Sequence, residues 1–66
     1  MRYRAEACFT DTDDVAANLG SFDDKKTAQL ACMGHADEPL NWQEPWPGMW
    51  QARSEAYWYR VVALRD

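Results

Sequence analysis

The chain predicts an α+β fold: a small antiparallel sheet of three to four strands with one helix packed on one face, in the order β(β)αββ. Three observations carry this expectation. Residues 2 to 10 alternate apolar and polar residues with period two, the pattern of a half-buried strand, and the C-terminal segment is rich in apolar and β-branched residues. The stretch from about Asp24 to about His35 instead repeats its small apolar residues at helical spacing. Between helix and final strands lies a segment dense in proline, where regular structure is not expected.

Taken in order, Tyr3, Ala5, Ala7 and Phe9 share one face of a first strand, and Arg2, Arg4, Glu6, Cys8 and Thr10 share the other. The acids of "DTDD" (11–14) stop it in a turn. "VAANLGSF" then offers a short second strand over 15–20, ending at Gly20, although Ala and Asn are weak strand formers. Ser21 or Asp23 reads as the N-cap of the helix, with Asp24 in its first turn, where a carboxylate meets the positive end of the helix dipole. Thr27, Ala28, Ala31, Cys32 and His35 form its inner stripe, with Leu30 and Met33 beside them; so narrow a stripe lets the helix approach a sheet closely. Pro39, Pro45, Pro47 and Gly48 mark "ADEPLNWQEPWPG" as a loop whose Leu40 and Trp42 cover one end of the core. "MWQARS" (49–54) and "AYWYRVVALR" (56–65) form a hairpin around Ser54-Glu55. The last strand is the richest in apolar and β-branched residues and belongs at the centre of the sheet.

Sixty-six residues make a single domain, 1–66, near the lower limit for folding without staples. Four Trp, three Tyr and two Phe supply most of the area such a core can bury. Little volume remains for an enclosed pocket of about 300–1,000 Å³, which argues against an enzyme. Net charge is −4, from eleven acids against seven bases, which disfavours nonspecific duplex binding but leaves room for one basic patch. No apolar run reaches the length of a membrane helix and no leader-like segment opens the chain, so a soluble, cytoplasmic protein is expected. Cys8 and Cys32 read as two reduced, buried thiols, with a bridge between strand and helix as the alternative in an oxidising setting.

Candidate chemistry is thin, and no cofactor is expected. Cys32-x-x-His35 would offer two metal ligands where structural zinc takes four. "DTDD" lacks the glycine and the closing Glu of a calcium loop, and "LGSF" lacks a phosphate-loop pattern. The informative feature is the sheet face that one helix leaves uncovered. With Tyr3, Phe9, Trp50, Tyr59 and Val61 toward the helix, the opposite face collects Arg2, Arg4, Gln51, Arg53, Trp58, Arg60, Val62 and Leu64. Arg and Trp are enriched at the centres of protein interfaces, so the first expectation is a protein partner, or a second copy, bound through Arg2, Arg4, Arg53, Trp58, Arg60 and Val62. A second is nucleic acid, with the arginines on phosphates or bases and Trp58 stacking. A third is a solvated face whose arginine stems shield their neighbours, with Glu6 pairing locally.

Gly20 and Phe22, Ala31-Cys32-x-x-His35, Leu40-x-Trp42, Gly48-x-Trp50-x-Ala52 and Tyr59-x-Val61 together resemble a family of small accessory proteins, without assigned activity, from actinobacterial phages and prophages. The resemblance spans roughly residues 19 to 63. It implies a phage accessory protein that works in the host cytoplasm by binding a host or phage protein. One departure stands out: Lys25, Lys26 and Thr27 occupy the helix start, which in that family is acidic. A fainter resemblance, through the "GSF" turn, helix and "YRV" strand, is to glycan-binding sporulation-related repeats, and a three-stranded DNA reader of the integrase-arm type is a further possibility.

Overall fold

The computed structural model describes residues 1–64. The elements are β1 (Arg2–Phe9), β2 (Val15–Phe22), α1 (Lys25–Ala36), β3 (Gln43–Trp46), β4 (Met49–Arg53) and β5 (Tyr57–Leu64). The five strands form one antiparallel sheet in the order β2-β1-β5-β4-β3, with α1 packed on one face. The α+β class and the central place of the last strand agree with the sequence. The strand count does not: there are five strands, in the order ββαβββ. Arg65, which the sequence puts in the last strand, lies outside the described residues.

The extra strand is β3, within the proline-rich loop. Pro45 has no N–H to give a ladder, but an edge strand needs only one of its sides paired. Trp46-Pro47-Gly48-Met49 closes the β3–β4 hairpin, with Trp46 opposite Met49. Pro47 followed by Gly48 at φ 88° is the arrangement of a type II turn, which needs a positive φ at its third residue. The same proline and glycine that seemed to forbid structure therefore build the turn.

β2 runs on to Phe22, past Gly20, and carries one extra residue against β1 at Leu19 and another at Ala16. Gly20, with φ 109°, absorbs the first of these bulges. Ala17, Leu19 and Phe22 pack against the core, and this burial outweighs the weak strand propensity of the segment. Asp24, rather than Ser21 or Asp23, is the helix N-cap: its Oδ1 accepts from the Thr27 N–H at 2.7 Å, which holds its carboxyl below the usual range. The helix stops at Asp37 in the left-handed region (φ 58°), whose N–H donates to the Met33 carbonyl.

The core lies between α1 and the sheet. Ala28 and Cys32 meet Ala5, Ala7, Ala52, Tyr59 and Val61, and Leu40 closes one end with Trp42 packed beside it. Small residues on the helix and on β1 leave space for the Tyr59 ring, which is fully buried. Thr27 and His35, expected in the inner stripe, and Leu30, expected beside it, are exposed; Met33 packs against the core as expected, and Ala36 joins it.

Candidate functional site: the open face of the sheet

Strand alternation sends the side chains that do not meet the helix to the opposite face, where no second layer lies over them. Register aligns them in rows across β1, β5 and β4: Arg4, Val62 and Met49; Glu6, Arg60 and Gln51; Cys8, Trp58 and Arg53. Arg2 stands beside Leu64 at one end. All six residues singled out in the sequence (Arg2, Arg4, Arg53, Trp58, Arg60 and Val62) thus share one face.

They do not share one role. Glu6 is 7% exposed in the middle of the face and accepts from Arg60 Nε at 2.7 Å, with Arg4 Nε at 3.7 Å from its other oxygen. Glu6 and Arg60 are direct cross-strand partners, so the sheet itself sets their approach. The Arg60 guanidinium also stacks over the Trp58 ring at 5.6 Å. Trp58 Nε1 donates to Asp13 Oδ1 at 3.0 Å, tying the β1–β2 turn to β5. Arg4 and Arg60 are therefore counter-charges to Glu6. Arg2 and Arg53 are exposed, and neither forms an ion pair with another described residue. Sequence reading paired Glu6 locally; its burial escaped notice because alternation puts it on the face with no cover.

Two hollows lie end to end along β4 and β5, divided at Arg60, which lines both. The polar one, about 560 Å³, is formed by Asp13, Asn41, Gln43, Gln51, Arg53 and Trp58. The more apolar one, about 740 Å³, is bordered by Arg4, Glu44, Trp46, Pro47, Met49 and Val62. Trp46 stands over the second hollow and is 60% exposed, the most exposed indole of the four. Met49 is buried beneath it as its cross-strand partner. Trp50, by contrast, turns to the helix side, where Tyr3 lies 5.9 Å away and Lys25 sits over its ring at 5.2 Å. Both Trp46 and Met49 belong to the face; alternation along the strand from Met49 already sets Met49 with Gln51 and Arg53, whereas only a β3–β4 hairpin could have revealed Trp46.

Neither edge of the sheet invites another strand. On β3 the edge is four residues long and contains Pro45 and Glu44. On β2 two bulges bend the strand, and the Asn18 side chain takes up the Gly20 N–H at 2.9 Å. These are the devices by which edges are blunted against pairing. The face is thus the larger unprotected surface of the sheet.

The remaining reactive groups are spent on structure. Cys8 and Cys32 are free and buried on opposite faces of the sheet: Cys8 lies near Glu6, Arg60 and Asp13, whereas Cys32 packs in the helix-side core. The sheet stands between them, so the alternative of a strand-to-helix bridge is excluded without rearrangement. Burial pushes the Cys8 thiol up and the Cys32 thiol up to about 12. Native protein at pH 8 is accordingly expected to give no fast reaction with a thiol reagent, and two equivalents after denaturation; one rapid equivalent in the folded state would contradict this packing. His35 Nδ1 is hydrogen-bonded with the Tyr59 hydroxyl at 2.9 Å, and its ring meets Tyr57 and Tyr59 edge-on. Among the described residues no three His, Cys, Asp or Glu side chains converge in a way that could hold a metal ion, and no helix is long and apolar enough to cross a membrane.

No protein-family model, curated protein or solved structure matches the chain.

Proposed function

We propose that the chain is a non-enzymatic binding module that engages another protein through the open face of its sheet. The observation that supports this most is the exposed Trp46 lining a hollow with Met49 and Val62, beside a centre where Glu6 already engages Arg4 and Arg60. An exposed indole over an apolar hollow with a polar rim has the composition of an interface anchor. The phage-accessory resemblance supplies the biological setting for this reading: a small protein acting in the bacterial cytoplasm on a host or phage protein. Nucleic acid is the weaker reading. Two of the four face arginines are committed to Glu6, and Asp13 and Glu44 add acids to the rim of the same face.

The test is affinity capture from bacterial lysate with immobilised protein. Trp46→Ser combined with Val62→Ser is expected to lose the captured protein, while Leu30→Ser, which removes an equally exposed apolar side chain from the helix, keeps it. Equal capture by both variants would overturn the reading. Duplex and single-strand binding, titrated against salt, separates the alternative: a steep salt slope with sequence-dependent affinity would favour nucleic acid.

A further inference from the structure

We infer that the occupant of the open face is an acidic amphipathic helix of the partner protein. Its apolar anchor lodges beside Trp46, and a carboxylate two turns along it is held by Arg53. This rests on the reading of that face as a protein-contact surface and names the chemistry of what it contacts.

Charge sets the sign of the partner. Among residues 1–64 the face carries four arginines against Glu6, Asp13 and Glu44, an excess of one positive charge. The rest of the molecule holds two lysines against seven carboxylates, an excess of five negative charges. An acidic segment is thus repelled by the body of the molecule and accepted on this face, whereas a basic one is drawn away from it.

The hydrogen bonds of the face agree with that sign. Glu6 is one carboxylate serving two guanidinium groups, and it bonds only one of them. Arg60 Nε reaches it at 2.7 Å, whereas Arg4 Nε lies 3.7 Å from its other oxygen, too far for a hydrogen bond. Arg4 Nε is buried without a hydrogen-bond partner, and the Arg4 side chain, 41% exposed, borders the apolar hollow. At the other end Arg53 lines the polar hollow together with the neutral amides of Asn41, Gln43 and Gln51. Asp13, the acid of that hollow, already accepts from Trp58. The donors of the exposed Arg53 side chain are therefore open to a carboxylate from outside, which a guanidinium takes in a two-pronged bond.

Geometry sets the form of the partner. A sheet face offers side chains and no ladder of backbone groups, so its occupant must satisfy its own backbone, as a helix does. The two hollows make one trough along β4 and β5, interrupted at Arg60. From the Met49–Val62 row to the Arg53–Trp58 row is four residues of strand, about 13 Å. Two turns of helix cover about 11 Å, and the length of a glutamate side chain spans the remainder. An apolar anchor and a glutamate seven residues away lie on one stripe of a helix and so reach both ends of the trough.

Titration of isotopically labelled protein with a synthetic helical peptide tests this, read by nuclear magnetic resonance at the Trp46 indole N–H and the Arg53 Nε–H. The peptide has an alanine-glutamine background, a central leucine pair, and a glutamate pair two turns to either side. It is expected to shift both signals and to saturate below about 1 mM. With glutamine at every glutamate, binding is expected to weaken by at least about tenfold, and with lysine neither signal should move. Arg53→Glu, at an exposed position where the fold survives, is expected to reverse the order and prefer the lysine peptide. Equal binding of the glutamate and glutamine peptides would overturn the acidic helix, as would the absence of any shift at millimolar peptide. So would a single-stranded oligonucleotide that moves both signals where the acidic peptide moves neither, which would give the arginines to nucleic acid. If either of the first two outcomes came with Trp46-dependent capture of a lysate protein, the acidic helix would fall and the contact face would stand. Capture indifferent to Trp46 would remove both.

Discussion

Tyr59→Ala is expected to leave the chain unfolded at 25 °C, seen as loss of near-ultraviolet circular dichroism and of a cooperative melt. Tyr59 lies on the central strand, is fully buried, and joins Ala7 and Ala52, its neighbours across β1 and β4, to Cys32 on the helix. Truncating a large buried aromatic costs about 3–5 kcal/mol through lost transfer energy and the cavity left behind. A domain of this size rarely has more than about 3–5 kcal/mol in total. The substitution therefore removes most or all of the net stability. Tyr59→Phe separates packing from polarity: it keeps the ring and loses the hydroxyl with its hydrogen bond to His35. Its expected cost is about 1 kcal/mol, and it should melt cooperatively at a lower temperature. A folded Tyr59→Ala protein would mean that the core does not centre on this ring.

The second large effect concerns Glu6. Glu6→Ala leaves the Arg60 and Arg4 guanidinium groups facing each other across the middle of the sheet with no counter-charge between them. Breaking a wholly buried pair costs about 3–5 kcal/mol, but both arginines here keep contact with water, which lowers the expected loss to about 2 kcal/mol. Chemical denaturation of the single and double substitutions at Glu6 and Arg60 should give a coupling of about 1–2 kcal/mol. Additive effects within error would show that the two side chains are neighbours without interaction. The consequence for function is that Arg60 is a poor probe of binding. Its reversal would act first on the fold, whereas Trp46 and Arg53 can be changed with the sheet intact.

Much of this was legible in the chain. Period-two alternation marked β1 and β-branched, apolar content marked β5, and the two-residue repeat of a strand sorted the residues of both onto two faces. Small residues at helical spacing marked α1. What escaped has a physical reason in each case. β3 is four residues long and carries a proline, so it has no period to read, and its presence depends on pairing with β4. With β3 unseen, Trp46 falls inside the expected loop with no face assigned to it, although it lines the open face. Glu6 followed the alternation, yet burial at that position is decided by two arginines, one of them 54 residues away in sequence. The arginines themselves looked like a basic patch because sequence shows their charge and not their partners. Face membership is local information; occupancy of each side chain is not.

Hydroxyl-radical footprinting of the protein alone and in complex with a captured partner tests the contact face most directly, because it reports side chains one by one. Protection is predicted at Trp46, Val62 and Arg53, with Leu30 on the helix and Val15 on β2 labelled as in the free protein. Protection confined to the helix or to the β2 edge, with Trp46 still fully labelled, would contradict the account.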